Sequence, residues 1–346
     1  MKKIGIIGAF DFENLAHGGQ PVKTREVYYA MCEKYGKENV DFVEMAYEKN
    51  YIKLLFKTFS LMKNCSQVAM LPAQNGVKIF APLLAFLNIF FKRKLFYFVV
   101  GGWLPEFAGK SESLKKSLLK FDFIFAETNS MTHRLNDIGL KNAKYFPNFR
   151  EMKILSEQEL VYNTKLPLKL CTFSRVLKEK GIGDAIKSVI DANSILKREA
   201  FSLDIYGIID DSYKDEFDEI IKSSPSFITY KGLVSQSESI DTLKDYFALL
   251  FPTYYSGEGL AGTLIDALSA GVPVISTNWH YNCDVIENGK TGLIYDYKNK
   301  ELLTKSLVYV ASCADKFNSM KLSCLKEAEK YTREAAKKIF DKYLES

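Results

Sequence analysis

Twelve short apolar runs, in two groups of six and separated by longer stretches of helical spacing, restrict what this chain can fold into more than any other feature. The first group lies at 3–9, 40–45, 67–71, 95–100, 122–126 and 143–147. The second lies at 168–174, 202–207, 226–231, 247–251, 273–277 and 292–295. Several runs are continuous rather than alternating, such as Ile4-Gly5-Ile6-Ile7 and Phe96-Tyr97-Phe98-Val99-Val100. Strands hidden on both faces read this way, as parallel strands covered by helices are. The pattern predicts an α/β chain of two doubly wound, Rossmann-like domains. The 346 residues agree with that count at roughly 150 residues per domain. The expected division is 1–160, 161–325 and a terminal helical stretch, 326–346, crossing back to the first domain. The polar stretch 149–167, ending in Lys165-Leu166-Pro167, is the expected linker. Ligands in open α/β sheets bind beyond the carboxyl ends of the strands. Two such domains are therefore expected to face across a cleft, and the loops that follow strands are where chemistry is to be sought.

Composition excludes several classes. The chain is 47% hydrophobic and 26% charged, ordinary for a packed globular protein and unlike disordered or collagen-like chains. Its net charge of +5 is too mild to imply a nucleic-acid partner. The charge is unevenly placed, however: residues 51–120 hold eleven Lys and Arg against Glu106 and Glu112. The six cysteines lack the paired spacing of a zinc site, and a disulfide framework suits much smaller secreted domains, so reduced thiols in the cytoplasm are expected. The start, MKKIGIIGAF, is too short in its apolar run for a secretory signal and reads as a first strand. No uninterrupted apolar stretch reaches 18 residues; the longest, Ala81–Phe91, contains Asn88, so no membrane span is expected.

Three loops carry the candidate chemistry. After the run 247–251 comes Pro252-Thr253-Tyr254-Tyr255-Ser256-Gly257-Glu258-Gly259-Leu260-Ala261-Gly262, then a helical pattern from Thr263 to Gly271. Its glycines allow close backbone approach, and a helix start offers N–H groups and a positive dipole end, which suits a phosphate or sugar oxygens. Glu258 and Asp266, eight positions apart, can hold hydroxyls at two points of one extended ligand. The same stretch also reads as a plain glycine-rich turn with a helix-dipole acid. After 168–174 comes Arg175-Val176-Leu177-Lys178-Glu179-Lys180-Gly181, where guanidinium and ammonium around a glycine turn suit a diphosphate, or else form a solvated surface. After the first run, Gly18-Gly19 lacks GxGxxG spacing, and no GxxxxGK[ST] occurs, so neither a dinucleotide fingerprint nor a P-loop is supported.

Together these loops resemble retaining glycosyltransferases of the GT-B fold, glycosyltransferase family 4 or group 1. The resemblance is clearest over 168–296, in FSRVLKEKGI, LDIYG, FPTYYSGEGLAGTLIDALSAGVPVIST and IENGKTGLIYD. It implies that Arg175 and Lys180 hold the diphosphate of a nucleotide-sugar donor. Glu258 and the backbone of Gly259, Leu260, Ala261, Gly262 and Thr263 would hold the sugar, and Asp266 the ribose. The family usually has Glu where this chain has Asp266. Gly19 would let the first helix approach the phosphates. Gly18-Gly19-Gln20-x-x-Lys23-Thr24 looks like the family's glycine loop, and VVGGWLPE and FPNF look like transferases of surface-polysaccharide assembly. Many members have a histidine after the strand ending here at Val100; this chain has Gly101-Gly102, so the sugar contact passes to backbone N–H groups, Gly102 among them, or to a nearby side chain such as Glu127. His17, Gln20 and Lys23 are further candidates for acceptor or sugar contact.

The implied activity is hexosyl transfer, with UDP as the commonest family donor, to a growing and lipid-linked glycan of a capsule or exopolysaccharide. No DxD pair occurs, so cationic side chains are expected to replace a divalent metal, with no cofactor beyond the donor. An epimerase of the same fold and a non-catalytic nucleotide-sugar-binding subunit are the alternatives. The first needs no acceptor, and the His-poor sequence speaks against it. Intact Arg175, Lys180 and Glu258 speak against the second. Finally, Tyr51–Asn64 has Ile52, Leu55, Phe56, Phe59 and Met62 at helical spacing beside Lys53, Lys57 and Lys63. It reads either as a core helix or as one lying on an anionic membrane surface, which would place the protein peripherally on the inner face of the cell membrane.

Overall fold

The structure is a computed structural model and describes residues 3–12, 19–46, 48 and 50–344. The chain divides into two compact units, Met1–Glu151 with Tyr331–Ser346, and Met152–Lys330. The first change of unit thus lies nine residues before the expected boundary at 160, and the return lies at Tyr331 rather than 326.

Each unit holds a six-stranded sheet, and every strand pairing is parallel. The first contains β1 (Ile4–Gly8), β2 (Val40–Glu44), β3 (Gln67–Met70), β4 (Lys94–Phe98), β5 (Phe123–Ala126) and β6 (Ala143–Tyr145), in the order 2-1-3-4-5-6. The second contains β7 (Leu168–Phe173), β8 (Phe201–Tyr206), β9 (Ile228–Gly232), β10 (Ala248–Phe251), β11 (Val274–Thr277) and β12 (Gly292–Tyr295), in the order 12-11-10-7-8-9. All twelve expected strands are present. The continuous apolar runs are the central strands: β1, β3, β10 and β11 are buried at every position. Their side chains meet helices above and below, so no position needs to be polar.

The stretch 149–167 is not a free linker. Beyond Glu151 it lies on the second unit, where the Leu155 N–H donates to the Ser269 carbonyl at 3.0 Å and Leu155 and Leu160 pack with Leu325. Ser156 and Glu159 form a capping box there. At the other end, the helix Arg333–Leu344 buries Ala336, Phe340 and Leu344 in the core of the first unit, with the Phe340 ring 4.9 Å from that of Phe146. Arg333 fastens its start by ion pairs to Glu26 at 2.8 Å and to Glu151 at 2.9 Å.

Two helices of the first unit depart from the sequence expectation. Tyr51–Asn64 buries Leu54, Thr58, Leu61 and Met62, leaving Ile52, Leu55, Phe56 and Phe59 exposed. The core therefore takes a different stripe from the one the spacing singles out. The apolar run 81–91 is only the second half of a helix, Gln74–Phe91, whose 18 residues and mean hydropathy of 1.3 are long and apolar enough to cross a membrane by length and composition alone. Four of its side chains (Val77, Phe80, Ala81 and Leu84) are buried in the unit.

Candidate active site

In the second sheet the strand order reverses between β7 and β10. Loops leaving the carboxyl ends of strands on either side of such a reversal diverge and leave a crevice for a ligand. The loop after β7 carries Arg175 and Lys180, and the loop after β10 carries Pro252–Ala261. The backbone ties the two together. The Tyr254 N–H donates to the Glu179 carbonyl at 2.8 Å, and Gly181, at φ +73°, lies so close to Pro252 that a Cβ there would sit 2.3 Å from the Pro252 carbonyl oxygen. Gly181 also caps the helix Ile182–Leu196 in the left-handed conformation. A larger residue meets both obstacles, so this glycine sets how near the two loops approach. Gly207, just past β8 at φ +134°, does the same beside Ser174, where a Cβ would lie 1.9 Å from the carbonyl oxygen.

Between the loops the predicted residues meet. Lys180 Nζ donates to Glu258 Oε2 at 2.5 Å, with the two side chains 12% and 8% exposed. The same oxygen accepts from Thr253 Oγ1 at 2.9 Å. Thr253 is itself fixed: its carbonyl accepts from Thr277 Oγ1 at 2.7 Å, and its hydroxyl accepts the Tyr255 N–H at 3.2 Å. The Tyr255 ring has Lys180 Nζ 5.2 Å and the Arg175 guanidinium 5.7 Å from its centre. A ring quadrupole favours cations over its face, so it helps gather both. Arg175 is the open member, its side chain 44% exposed, with Asp210 Oδ2 3.5 Å away. Asp210 is held below the usual carboxylate range by the Ser212 hydroxyl and N–H, with Arg175 adding to the effect.

The helix Gly262–Ser269 begins at the far end of the loop. Its N-cap is Ala261, which has no side chain able to accept from the first turn. Thr263 Oγ1 is buried without a hydrogen-bond partner. An unfilled buried hydroxyl costs free energy, and a phosphate or sugar oxygen arriving there would satisfy it. Asp266, like Leu260 and Ala261, is buried, and its side chain sits one turn into the helix. Gly259 lies in the bend that precedes them. Sequence reading missed Thr253 and Asp210. Thr253 gives a signal only in retrospect, as the hydroxyl residue at the strand end five positions before Glu258. Asp210 was set aside as a poor metal ligand, whereas the structure places it against Arg175.

The first-unit candidates are arranged otherwise. Lys23 and Glu127 are 1% and 3% exposed and form an ion pair at 2.6 Å, and Lys23 Nζ also donates to the Val99 carbonyl at 2.6 Å. Burial lowers the Lys23 pKa, with Glu127 opposing the shift. As placed, these two side chains contact each other rather than solvent, and they brace the end of β4 before Gly101 and Gly102. Gln20 Nε2 donates to the Leu71 carbonyl at 3.2 Å. Gly19 opens the helix Gly19–Tyr35, and nothing lies within 4 Å of where its Cβ would stand. His17 lies outside the described residues. Among the described residues, no three His, Cys, Asp or Glu side chains cluster as a metal site would require.

Residues 159–334 match the family described as glycosyl transferases group 1. Over 180 residues the chain is 28% identical to the GtfA subunit of the UDP-N-acetylglucosamine–peptide N-acetylglucosaminyltransferase of Streptococcus pneumoniae serotype 4, covering 51% of this chain and 34% of that protein. Over 205 residues it is 26% identical to the alpha-monoglucosyldiacylglycerol synthase of Acholeplasma laidlawii, covering 57% and 48%. The chain thus spans between about a third and about a half of the length of these relatives. The crystal structure of Anabaena Alr3699/HepE in complex with UDP shares the fold over 100% of both chains, with a TM-score of 0.73 at 12% identity. The family match takes in just over half of the chain and carries both loops of the β7–β10 crevice, from Arg175 to Asp266: the chain belongs to the glycosyl transferases group 1 family.

Proposed function

We propose that the protein is a retaining, metal-independent glycosyltransferase that moves a hexose from a UDP-sugar to a growing cell-surface polysaccharide. Its acceptor is carried on a polyprenyl diphosphate lipid at the cytoplasmic face of the membrane. The observation that carries this reading is the convergence at the β7–β10 reversal. Two cations from one loop meet a buried carboxylate and an uncapped helix start from the next, with the backbones of both loops locked together. In the reaction the bond between the sugar's anomeric carbon and the β-phosphate oxygen breaks, and the electron pair stays on the diphosphate. The acceptor oxygen forms the new bond on the same face, and its proton passes to the departing phosphate. Arg175, Lys180 and the start of the helix Gly262–Ser269 stabilise the charge that builds on the diphosphate, each contact worth ~3 kcal/mol by comparison with oxyanion donors. Glu258 and the backbone of 259–263 orient the sugar, and Asp266 takes the ribose.

The name of the Acholeplasma relative, a synthase of a glycosylated diacylglycerol, supports a lipid-borne acceptor, and that of the streptococcal subunit supports a UDP-linked donor. The test is Arg175→Ala, a half-exposed position whose loss should leave the fold intact. UDP affinity measured by calorimetry should fall about tenfold or more and transfer by about 10²- to 10³-fold. Unchanged UDP affinity would refute the assignment. Transfer should persist in EDTA, and a strict requirement for Mg²⁺ or Mn²⁺ would refute the metal-independent mechanism.

A further inference from the structure

The helices Tyr51–Asn64 and Gln74–Phe91 present one continuous apolar face to solvent. Ile52 and Phe56 on the first are 67% and 70% exposed, and Ile89 and Phe90 on the second are 66% and 69% exposed. The face is continuous because the rings of Phe59 and Phe91 meet edge to face at 5.2 Å, and Phe86 meets Phe90 at 5.7 Å. Arg93 locks the two helix ends together, donating to the Met62 carbonyl at 3.0 Å and the Lys63 carbonyl at 2.9 Å while Asn88 holds its backbone. Exposed apolar surface of this extent is unusual unless something covers it.

The charge around the face says what covers it. Lys63, Lys92, Lys116 and Lys120 are exposed along its border. The acidic groups of residues 51–120 are each engaged by a cation: Glu106 by Arg134, and Glu112 by Lys115. Lys53 and Lys57 share Glu48. An open groove of about 700 Å³ runs beside the helix Gln74–Phe91, with Phe86 and Ile89 on its apolar side and Ser113, Lys116, Ser117 and Lys120 on its polar side. Protein interfaces are depleted in lysine at their cores and seldom ringed by it. A phenylalanine-rich face bordered by lysines, whose stems lie along apolar surface while the ammonium groups reach outward, matches the boundary between acyl chains and phosphates.

We propose that the first unit docks on an anionic phospholipid bilayer through this two-helix face, with a lipid phosphate seated in the groove between Lys116 and Lys120. The aromatic and aliphatic side chains enter the acyl boundary, and the lysine border meets the headgroups. The claim stands on the first unit alone and does not depend on the donor site. It is tested by floating the full-length protein with vesicles of phosphatidylglycerol mixed with phosphatidylcholine, and with phosphatidylcholine alone. The wild type should float with the anionic vesicles, less well at high salt, and poorly with neutral ones. Phe56→Asp with Phe90→Asp should lower recovery by about tenfold or more. Lys116→Glu with Lys120→Glu should erase the preference for anionic lipid. Both double variants should keep the wild-type melting temperature and UDP affinity, since all four positions are exposed and lie outside the donor unit. Equal recovery with neutral and anionic vesicles, or wild-type recovery of the Phe variant, would overturn the proposal. So would a solution dimer that the Phe variant dissociates, because the face would then belong to a second copy of the chain.

Discussion

Lys321 is fully buried in the second unit, and its ammonium donates to the carbonyls of Tyr246 at 3.2 Å and Gly271 at 3.4 Å. Gly271 lies just past the end of the helix Gly262–Ser269, so the charge sits at the negative end of the helix whose start faces the proposed donor. Burial still dominates and lowers the pKa from 10.5 to about 8, with Cys324 and Cys171 pulling weakly the other way. Below about pH 8 the group is charged both folded and unfolded, and the folded state carries a buried ammonium. As pH rises, the folded state loses the proton first, the unfolded state holds it until about 10.5, and stability climbs. Between about pH 7 and about pH 9 the gain is about 1.4 kcal/mol from this one group. The window stops there because burial raises the pKa of Cys171 and Cys324, the latter to about 12. Above the ordinary thiol range of about 9 those groups lower stability as pH rises. Urea denaturation of the second unit, followed across this window for the wild type and for Lys321→Met, isolates the effect. The wild type should gain stability, and the variant should be flat and at least as stable near neutrality, since an apolar chain of similar length replaces a buried charge. Parallel slopes would show that Lys321 does not titrate as a buried group and would refute the reasoning.

Removing one member of the Lys23–Glu127 pair strands the other: Glu127→Gln should cost about 3–5 kcal/mol, while Lys23→Met combined with Glu127→Gln should recover most of it. A single variant that costs less than about 1 kcal/mol in a denaturation cycle would show that water reaches the pair. Thr263→Val keeps the shape of the side chain and removes the orphan hydroxyl, so it should leave the melting temperature unchanged or raise it. UDP affinity should fall at the same time, by about fivefold to tenfold for one neutral hydrogen bond. Unchanged affinity would place the ligand away from this helix start.

The sheets were legible because a parallel strand buried on both faces must be apolar throughout, and a run such as Ile4-Gly5-Ile6-Ile7 has few other readings. The donor loops were legible because each is one short segment following one strand, so Arg175 and Lys180, or Glu258 and Asp266, lie close in sequence and near in space. Pairings across segments were not. Nothing in the sequence couples Lys180 to Glu258, 78 positions on, or Lys23 to Glu127, 104 positions on, because those contacts depend on where two strands end in one sheet. The helix Tyr51–Asn64 shows a different limit. Periodicity marks an apolar stripe but does not say which stripe the core takes; Leu54, Leu61 and Met62 went inward, and Phe56 and Phe59 stayed outside. The linker was misplaced because 149–167 is polar overall, although Leu155 and Leu160 suffice to pin its first half to the second unit.

The donor site in this state is nearly neutral. Arg175 faces Asp210 and Lys180 faces Glu258, two cations against two carboxylates. A diphosphate would gain little from net charge there, so attraction at a distance is not what the arrangement supplies. Under the proposed reading the gain is local and comes from exchange. When a phosphate oxygen takes the Lys180 ammonium, one charge-assisted hydrogen bond replaces another of like strength. Glu258 is then released to accept from a sugar hydroxyl while Thr253 continues to hold it. That exchange reconciles the expected sugar contact of Glu258 with its observed partner. It also keeps a buried ammonium and a buried carboxylate compensated before the donor arrives, where either alone would carry the penalty of an unpaired buried charge. What remains unexchanged, the uncapped start of the helix Gly262–Ser269 and the Thr263 hydroxyl, is fixed in direction and need not reorganise as charge builds. Preorganised dipoles of that kind favour a transition state over the ground state.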